Sequence, residues 1–181
     1  WITSNDTGAY MVEQGGKQRI VDLLNQILSI PIDFKLRLGM MNPGNIITIL
    51  DDLIKIYKNE KMFKFLHVPV QSGGNEVLKL MNRKYSVEDF IKVVDAFRKE
   101  IPDITKSTDI IVGFPSETEE QFNESLSLIK KIKPDALNLS RYAAREGTIA
   151  AKMRQISTNI LKQRSRIMTI LYRKTAYENN E

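Results

Sequence analysis

Cysteine is absent from all 181 residues, which excludes disulfide bonds and any thiolate-held metal or iron–sulfur cluster within this chain. Histidine occurs once, at His67, and a single imidazole does not build a metal site. No apolar run approaches the roughly 18 residues that a membrane-spanning helix needs, and no charged-then-apolar leader opens the sequence. We therefore expect a cytoplasmic protein that makes no membrane contact.

The composition that remains is that of a globular protein. The apolar fraction is 42%, and 181 residues are enough for one domain with a real core. The net charge of +5 mildly favours an anionic partner such as nucleic acid. The first residues, Trp1-Ile2-Thr3, read as a strand already under way without an initiator Met, which predicts a fragment of a longer protein.

Strand and helix patterns alternate five times along the chain. Strands are predicted at 1–3, 33–38, 64–68, 108–112 and 136–139, and helices at Lys17–Ser29, Ile46–Lys58, Asn75–Asn82, Val87–Lys99, from Ser116 or Thr118 to Lys131, and Asn159–Tyr177. This order implies parallel strands joined by right-handed crossovers. We predict the α/β class: a partial TIM-like (β/α) barrel core over residues 1–150 whose first unit is missing, then a basic amphipathic helical segment over 151–181. A doubly wound open sheet is the alternative.

Ligands of parallel α/β folds bind where strands end, and the segment from His67 to Gly74 follows the central strand. Gln71 and Asp109 are placed to bracket ribose hydroxyls, and Arg83 is suited to clamping a carboxylate. The phosphate-binding Gly-x-x-x-x-Gly-Lys spacing is absent. The plainer alternatives are helix capping for Asp109 and Arg83, turn formation for Asn42, and simple packing for His67.

The last predicted helix carries Lys162, Arg166 and Arg173 on one face. Four apolar residues lie on another face: Ile160, Ile167, Met168 and Leu171. The basic face is either solvated or a phosphate-tracking surface for nucleic acid, whose binding would weaken with salt.

Five ordered motifs resemble the radical S-adenosylmethionine methylthiotransferases. Three of them are His67-x-Pro69-x-Gln71-Ser72-Gly73, Met81-x-Arg83-x-Tyr85 and Thr108-Asp109-Ile110-Ile111-Val112-Gly113-Phe114-Pro115-x-Glu117-Thr118-Glu119. Thr3-Ser4-x-Asp6-Thr7-Gly8-Ala9-Tyr10 and Arg37-x-Gly39-Met40-x-Asn42-Pro43 are similar to the archaeal and eukaryotic branch, which acts on N6-threonylcarbamoyladenosine beside the anticodon. The segment Tyr142-x-x-Arg145-x-Gly147-Thr148-x-Ala150-Ala151-Lys152-Met153 continues the resemblance.

The resemblance implies an S-adenosylmethionine site and a tRNA substrate. It assigns cofactor binding to Ser4, Asp6, Gln71, Arg83, Asp109, Gly113 and Tyr142. Substrate or RNA contacts are expected from Arg37, Asn42, His67, Arg145, Lys162, Arg166 and Arg173. It also implies two [4Fe–4S] clusters, a reductant protein and the tRNA anticodon loop as partners of the intact enzyme.

The chain departs from this family in one respect that matters for chemistry. The Cys-x-x-x-Cys-x-x-Cys loop that holds the radical-generating cluster is absent, so no residue here is assigned a catalytic role and the fragment alone is predicted to be inactive. Arg145-Glu146-Gly147 stands where the family usually has Arg-Pro-Gly. Two alternatives stay open: a non-catalytic RNA-binding barrel, and a methylthiotransferase acting on a ribosomal protein aspartate.

Overall fold

A computed structural model describes residues 1–12 and 19–178 of the chain. Within these ranges we number α-helices and β-strands in chain order. The helices are α1 (Ile20–Leu28), α2 (Pro43–Ile46), α3 (Leu50–Tyr57), α4 (Asn75–Leu80), α5 (Val87–Glu100), α6 (Glu119–Ile132), α7 (Ile149–Lys152) and α8 (Thr158–Glu178). The strands are β1 (Phe65–His67), β2 (Thr105–Val112) and β3 (Ala136–Arg141). The chain folds into two compact units, the first comprising residues 1–69 and 88–107 and the second comprising 70–87 and the chain from residue 108 onward.

Parallel strand pairing organises the first unit. β1 pairs with the beginning of β2, with Phe65 opposite Thr105 and His67 opposite Ser107. The strands predicted at 1–3 and 33–38 pair only through the single parallel bridges Ile2–Leu38 and Leu36–Met62. The segments do lie side by side in the predicted parallel order, but each bridge is too short to form a continuous ladder.

Helices cover this unit with the apolar stripes that the sequence predicts. α1 buries Ile20, Leu24 and Leu28, one residue per turn. Tyr57 at the end of α3 meets Phe97 of α5 edge to face, with ring centroids 5.2 Å apart. The prediction placed the start of the first helix at Lys17, a residue that lies outside the described ranges; within them the helix begins at Ile20.

The second unit continues β2 and adds β3, which lies beside it in the sheet. Thr118 caps α6 in a reciprocal capping box with Gln121, as the sequence predicts. α8 packs against α6 and β3. This arrangement places the carboxyl ends of β2 and β3 at one edge, where the predicted ligand residues follow.

The structure differs from the prediction in several element boundaries and in the last part of the chain. β2 begins three residues early, at Thr105, and β3 continues to Arg141. The stretch after Gly147, for which no helix was predicted, contains the one-turn helix α7, whose N-cap Thr148 side chain accepts a hydrogen bond from the Ala151 N–H. On the apolar face of α8, Ile160 and Ile167 are exposed, whereas Met168 is fully buried. The buried positions of α8 are Arg164, Met168 and Thr175.

Candidate functional site

The second unit contains a cavity of about 540 Å³ at the carboxyl ends of β2 and β3. Five residues that the sequence singled out line it together, namely Gln71, Arg83, Asp109, Tyr142 and Arg145. Ligand cavities of proteins have volumes of roughly 300–1,000 Å³, so this one has room for a nucleoside-sized molecule. Gly113, which the resemblance also assigned to the cofactor, does not line it.

Gln71 enters the cavity from a strained backbone. Its φ is +72°, in the left-handed region that non-glycine residues rarely adopt. Two hydrogen bonds hold it there: its N–H donates to the Asp109 carbonyl at 2.8 Å, and the Ile111 N–H donates to the Gln71 carbonyl at 2.9 Å. Strain of this kind persists only where the surroundings fix it, and it concentrates at ligand sites.

Asp109 is oriented by a partner that sequence reasoning missed. The Asn138 side-chain amide on β3 donates to Asp109 Oδ1 at 2.8 Å. Asn138 and Ser140 both line the cavity because residues two apart on a strand share a face. Asn138 already lay within the predicted strand, which ended at Leu139. The two-residue spacing of the polar residues Asn138 and Ser140 was the signal that they share the face toward the cavity.

Arg83 follows α4 and turns its side chain to the cavity. The backbone N–H of Arg83 donates to the Leu78 carbonyl at 2.9 Å, and Asn82 reverses the chain with φ of +57°. The helix end is therefore closed by backbone, and not by the guanidinium as the capping alternative supposed. Arg83 Nε is buried and has no hydrogen-bond partner among the described residues. Buried donors without a partner are rare in folded proteins, so a ligand acceptor is expected here.

Tyr142 forms the aromatic part of the lining. Its N–H donates to the Val112 carbonyl at 3.0 Å, which fixes the residue beside the end of β2. Its ring meets Phe114 edge to face, with centroids 5.2 Å apart. An aromatic face held in this way is suited to contact a planar base.

A buried ion pair supports the turn after β2. Arg164 of α8 donates to Glu117 Oε2 at 2.7 Å, and the same oxygen accepts from the Gly113 N–H at 2.8 Å. Burial raises the pKa of Glu117, and the Gly113 N–H and the Arg164 guanidinium oppose that shift. Gly113 has φ of +74°, a left-handed backbone that favours glycine, and a Cβ there would lie 1.8 Å from Leu161 Cδ2, so the Leu161 side chain would also have to move.

In the first unit, Asp6 accepts hydrogen bonds from its own loop and from the beginning of α2. Oδ1 accepts from the N–H groups of Gly8 at 3.0 Å and Asn42 at 3.1 Å, and Oδ2 accepts from the Asn45 side chain at 2.8 Å. Asn42 itself caps α2 by accepting from the Gly44 N–H, which is the turn role weighed from the sequence. Ser4 Oγ accepts from the Asp6 N–H at 3.1 Å, and both residues line a cavity of about 410 Å³. Their predicted contact with a cofactor stays a prediction.

Arg37 and His67 share a smaller cavity of about 250 Å³ in the same unit. The Arg37 guanidinium lies over the Phe65 ring at 4.1 Å and the Trp1 ring at 4.6 Å. The His67 carbonyl accepts from the Met41 N–H at 3.0 Å, so the strand end is tied down.

The basic face predicted for the last helix is exposed. Lys162, Arg166 and Arg173 are all solvent-accessible. They lie on the side of α8 opposite its buried residues, as the helical period of 3.6 requires. The three cations therefore point away from the packing surface of α8 and are accessible to a partner.

Neither a metal cluster nor a membrane span is found in the described residues. Across 1–12 and 19–178, no three acidic, histidine or cysteine side chains converge in a way that would hold an ion. Over the same residues no helix has both the length and the apolar character needed to cross a bilayer.

Sequence comparison finds one matching protein family and several similar proteins. Residues 12–129 match the model of the Radical SAM superfamily. The chain is 51% identical over 180 residues to the "Probable threonylcarbamoyladenosine tRNA methylthiotransferase" of Archaeoglobus fulgidus, covering 99% of this chain and 42% of that protein. It is 42% identical over 173 residues to the threonylcarbamoyladenosine tRNA methylthiotransferase of Drosophila melanogaster, covering 95% of this chain and 31% of that protein. The chain thus spans less than half the length of these relatives.

A solved structure supports the fold. Coproporphyrinogen III oxidase (HemN) from Escherichia coli, described as a radical SAM enzyme, superposes with a TM-score of 0.65 over 87% of this chain and 37% of its own, at 23% identity. This likeness agrees with the predicted α/β partial barrel. With the family model matching well over half of the residues, the chain belongs to the radical SAM superfamily.

Proposed function

We propose that this chain is the cofactor-binding core of an enzyme that converts N6-threonylcarbamoyladenosine in tRNA to its 2-methylthio derivative. The observation that carries the proposal is the convergence of Gln71, Arg83 and Asp109 on one cavity of about 540 Å³. Relatives that are 42% and 51% identical over nearly the whole chain bear the name of that activity, which supports the choice of substrate.

S-adenosylmethionine fits the groups that line the cavity. Its carboxylate matches the buried Nε of Arg83, which has no acceptor among the described residues. Its ribose hydroxyls match Gln71 and the Asp109 carboxylate, which Asn138 orients. The adenine base matches the Tyr142 ring. In this proposal the chain binds and orients the cofactor and shields it from water.

Membership in the superfamily implies both S-adenosylmethionine and an iron–sulfur cluster. When bound, S-adenosylmethionine supplies hydrogen-abstracting radical chemistry, and the protein contributes placement. The residues of this chain do not fit a cluster, because none of them is a cysteine. We place the ligands of two [4Fe–4S] clusters outside these 181 residues, and we expect this chain alone to be inactive.

The substrate part of the proposal rests on charge. Lys162, Arg166 and Arg173 form an exposed basic face on α8, and Arg145 adds a cation at the cavity. Phosphates bind such surfaces with an affinity that falls as salt rises. An unstacked adenosine of the anticodon loop reaches an active site without disruption of a duplex. We further propose a cytoplasmic enzyme served by a separate reductant protein.

Mass spectrometry of tRNA nucleosides tests this function. Deleting the complete reading frame should abolish 2-methylthio-N6-threonylcarbamoyladenosine while N6-threonylcarbamoyladenosine remains. Complementation with the wild-type frame should restore it, an Arg83→Met frame should not, and a frame with the exposed neighbour Lys84 changed to Met should. If tRNA is unchanged and a ribosomal protein loses a methylthio group, the substrate is wrong. If neither changes, the proposed activity is refuted and the non-catalytic RNA-binding barrel is the alternative that remains.

A further inference from the structure

The small cavity of the first unit contains a cation without an acidic partner. Its lining includes Thr3, Ser4, Arg37 and His67 but no aspartate or glutamate. The buried and surface ion pairs of the described residues do not include Arg37. Across residues 1–12 and 19–178, its guanidinium also makes no side-chain hydrogen bond. A half-buried guanidinium with five donors in such a place is suited to an anion that arrives from outside.

Aromatic contacts hold this guanidinium in place before any anion binds. Its central carbon lies 4.1 Å from the Phe65 ring centroid and 4.6 Å from the Trp1 ring centroid. Each contact is a cation–π interaction, and neither ring competes for the N–H groups in the guanidinium plane. The side chain is therefore restrained while its donors stay available, which favours a planar, bidentate acceptor such as a carboxylate.

The size of the cavity limits the occupant. At about 250 Å³ it is smaller than the roughly 300–1,000 Å³ that whole drug-sized ligands occupy, so it suits a substituent and not a nucleoside. The hydroxyls of Thr3 and Ser4 add hydrogen-bonding groups at its wall. The occupant that fits is a short polar chain ending in a carboxylate.

We propose that Arg37 binds the carboxylate of the threonylcarbamoyl substituent on the substrate adenine. This proposal rests on the proposed function, under which the modified base carries an amino acid whose carboxylate is ionised at neutral pH. Arg37 then acts as the residue that distinguishes a threonylcarbamoylated adenine from one that carries an uncharged substituent.

Binding of two nucleosides to the protein from the complete reading frame tests this role. The probes are N6-threonylcarbamoyladenosine and its methyl ester, which differ only in the charge and shape at the carboxylate. Loss of a charge-assisted hydrogen bond weakens binding about tenfold or more, so the wild type should prefer the acid by at least that factor. Arg37→Gln should remove the preference by weakening acid binding alone. Arg37→Lys, which keeps the charge without the fork, should retain a smaller preference.

Lys55→Gln is the matched control, since it removes one positive charge from an exposed side chain of the same unit. It should keep the wild-type preference. Equal binding of acid and ester by the wild type overturns the proposal, and so does an unchanged preference in a folded Arg37→Gln protein. If Arg37→Gln does not fold, the wild-type comparison and Arg37→Lys decide.

Failure of this site and failure of the proposed function are distinguishable. A protein that methylthiolates tRNA but binds acid and ester equally refutes the Arg37 site and leaves the function standing. A protein that prefers the acid through Arg37 but never methylthiolates tRNA keeps the site and refutes the function.

Discussion

Substituting Gly73 by alanine tests whether close packing of a loop against α6 stabilises the protein. A Cβ at Gly73 would lie 2.5 Å from Ser125 Cα and 2.6 Å from the Glu124 carbonyl oxygen. Both are backbone atoms of a 14-residue helix, so relief requires α6 or the loop to move. The loop also carries Gln71, two residues before the clash, and Gln71 lines the cavity.

Two terms set the expected cost. Overpacking a tightly packed site costs about 1–3 kcal/mol. Movement of the loop also weakens the hydrogen bond from the Gly73 N–H to Ser125 Oγ, now 2.8 Å, which contributes about 1 kcal/mol. Gly73→Ala should therefore lower the free energy of unfolding by about 2–4 kcal/mol, a large part of the ~5–15 kcal/mol typical of native proteins.

Urea unfolding followed by circular dichroism measures this loss, and the adjacent glycine supplies the control. A Cβ at Gly74 would lie 2.4 Å from Glu124 Oε2, the far end of a flexible side chain that can rotate away. Gly74→Ala should therefore cost no more than about 1 kcal/mol, the ordinary penalty for alanine at a helix N-cap. Equal losses for the two variants, or a Gly73→Ala loss below about 0.5 kcal/mol, would refute the packing argument, since surface changes alone reach that size.

Two further predictions concern single side chains. Arg83→Met in the protein from the complete reading frame should weaken S-adenosylhomocysteine binding about tenfold or more, measured by calorimetry, because Arg83 Nε is a buried donor without an acceptor at the cavity. Lys84→Met is the charge-matched control, and an unchanged affinity of Arg83→Met would contradict the assignment. Burial raises the pKa of Tyr57 above its ordinary value of 10.0, so the folded state keeps a proton that the unfolded state loses, and stability should be full below pH 10 and fall as pH rises beyond it. Tyr57→Phe should not show this loss of stability above pH 10. At neutral pH it should be about 1 kcal/mol less stable than the wild type, because it lacks the hydrogen bond to the Phe65 carbonyl. An identical alkaline loss in both proteins would show that Tyr57 is not its source.

Local patterns in the sequence were enough to predict most of the helices. Some features depend only on residues close in sequence and can be predicted from one sequence. They include the capping box of Thr118 and Gln121 and the helical spacing of Ile20, Leu24 and Leu28. The same holds for the cavity residues at strand ends, since the fold class fixes where those ends meet.

Features that depend on residues far apart in sequence could not be predicted in this way. The Asn138–Asp109 hydrogen bond joins residues 29 apart and requires knowledge of strand register. The exposure of Ile160 and Ile167 arises because α8 turns Arg164, and not its isoleucines, inward to the buried Glu117. A periodic pattern assigns apolar residues to the interior by default, and it fails where a buried ion pair takes that position.

Contacts with distant residues also explain the glycine at position 113, which does not line the large cavity. Leu161 fills the space where a Cβ of Gly113 would lie, and the Gly113 N–H donates to the Glu117 carboxylate. Because Glu117 also binds Arg164, α8 is tied to the turn that precedes α6 and follows β2. Tyr142 hydrogen-bonds to Val112 immediately before that turn, so the aromatic wall of the cavity depends on a helix that does not line it. The shape of this cavity is thus set as much by the packing that fixes its strand ends as by the side chains that line it.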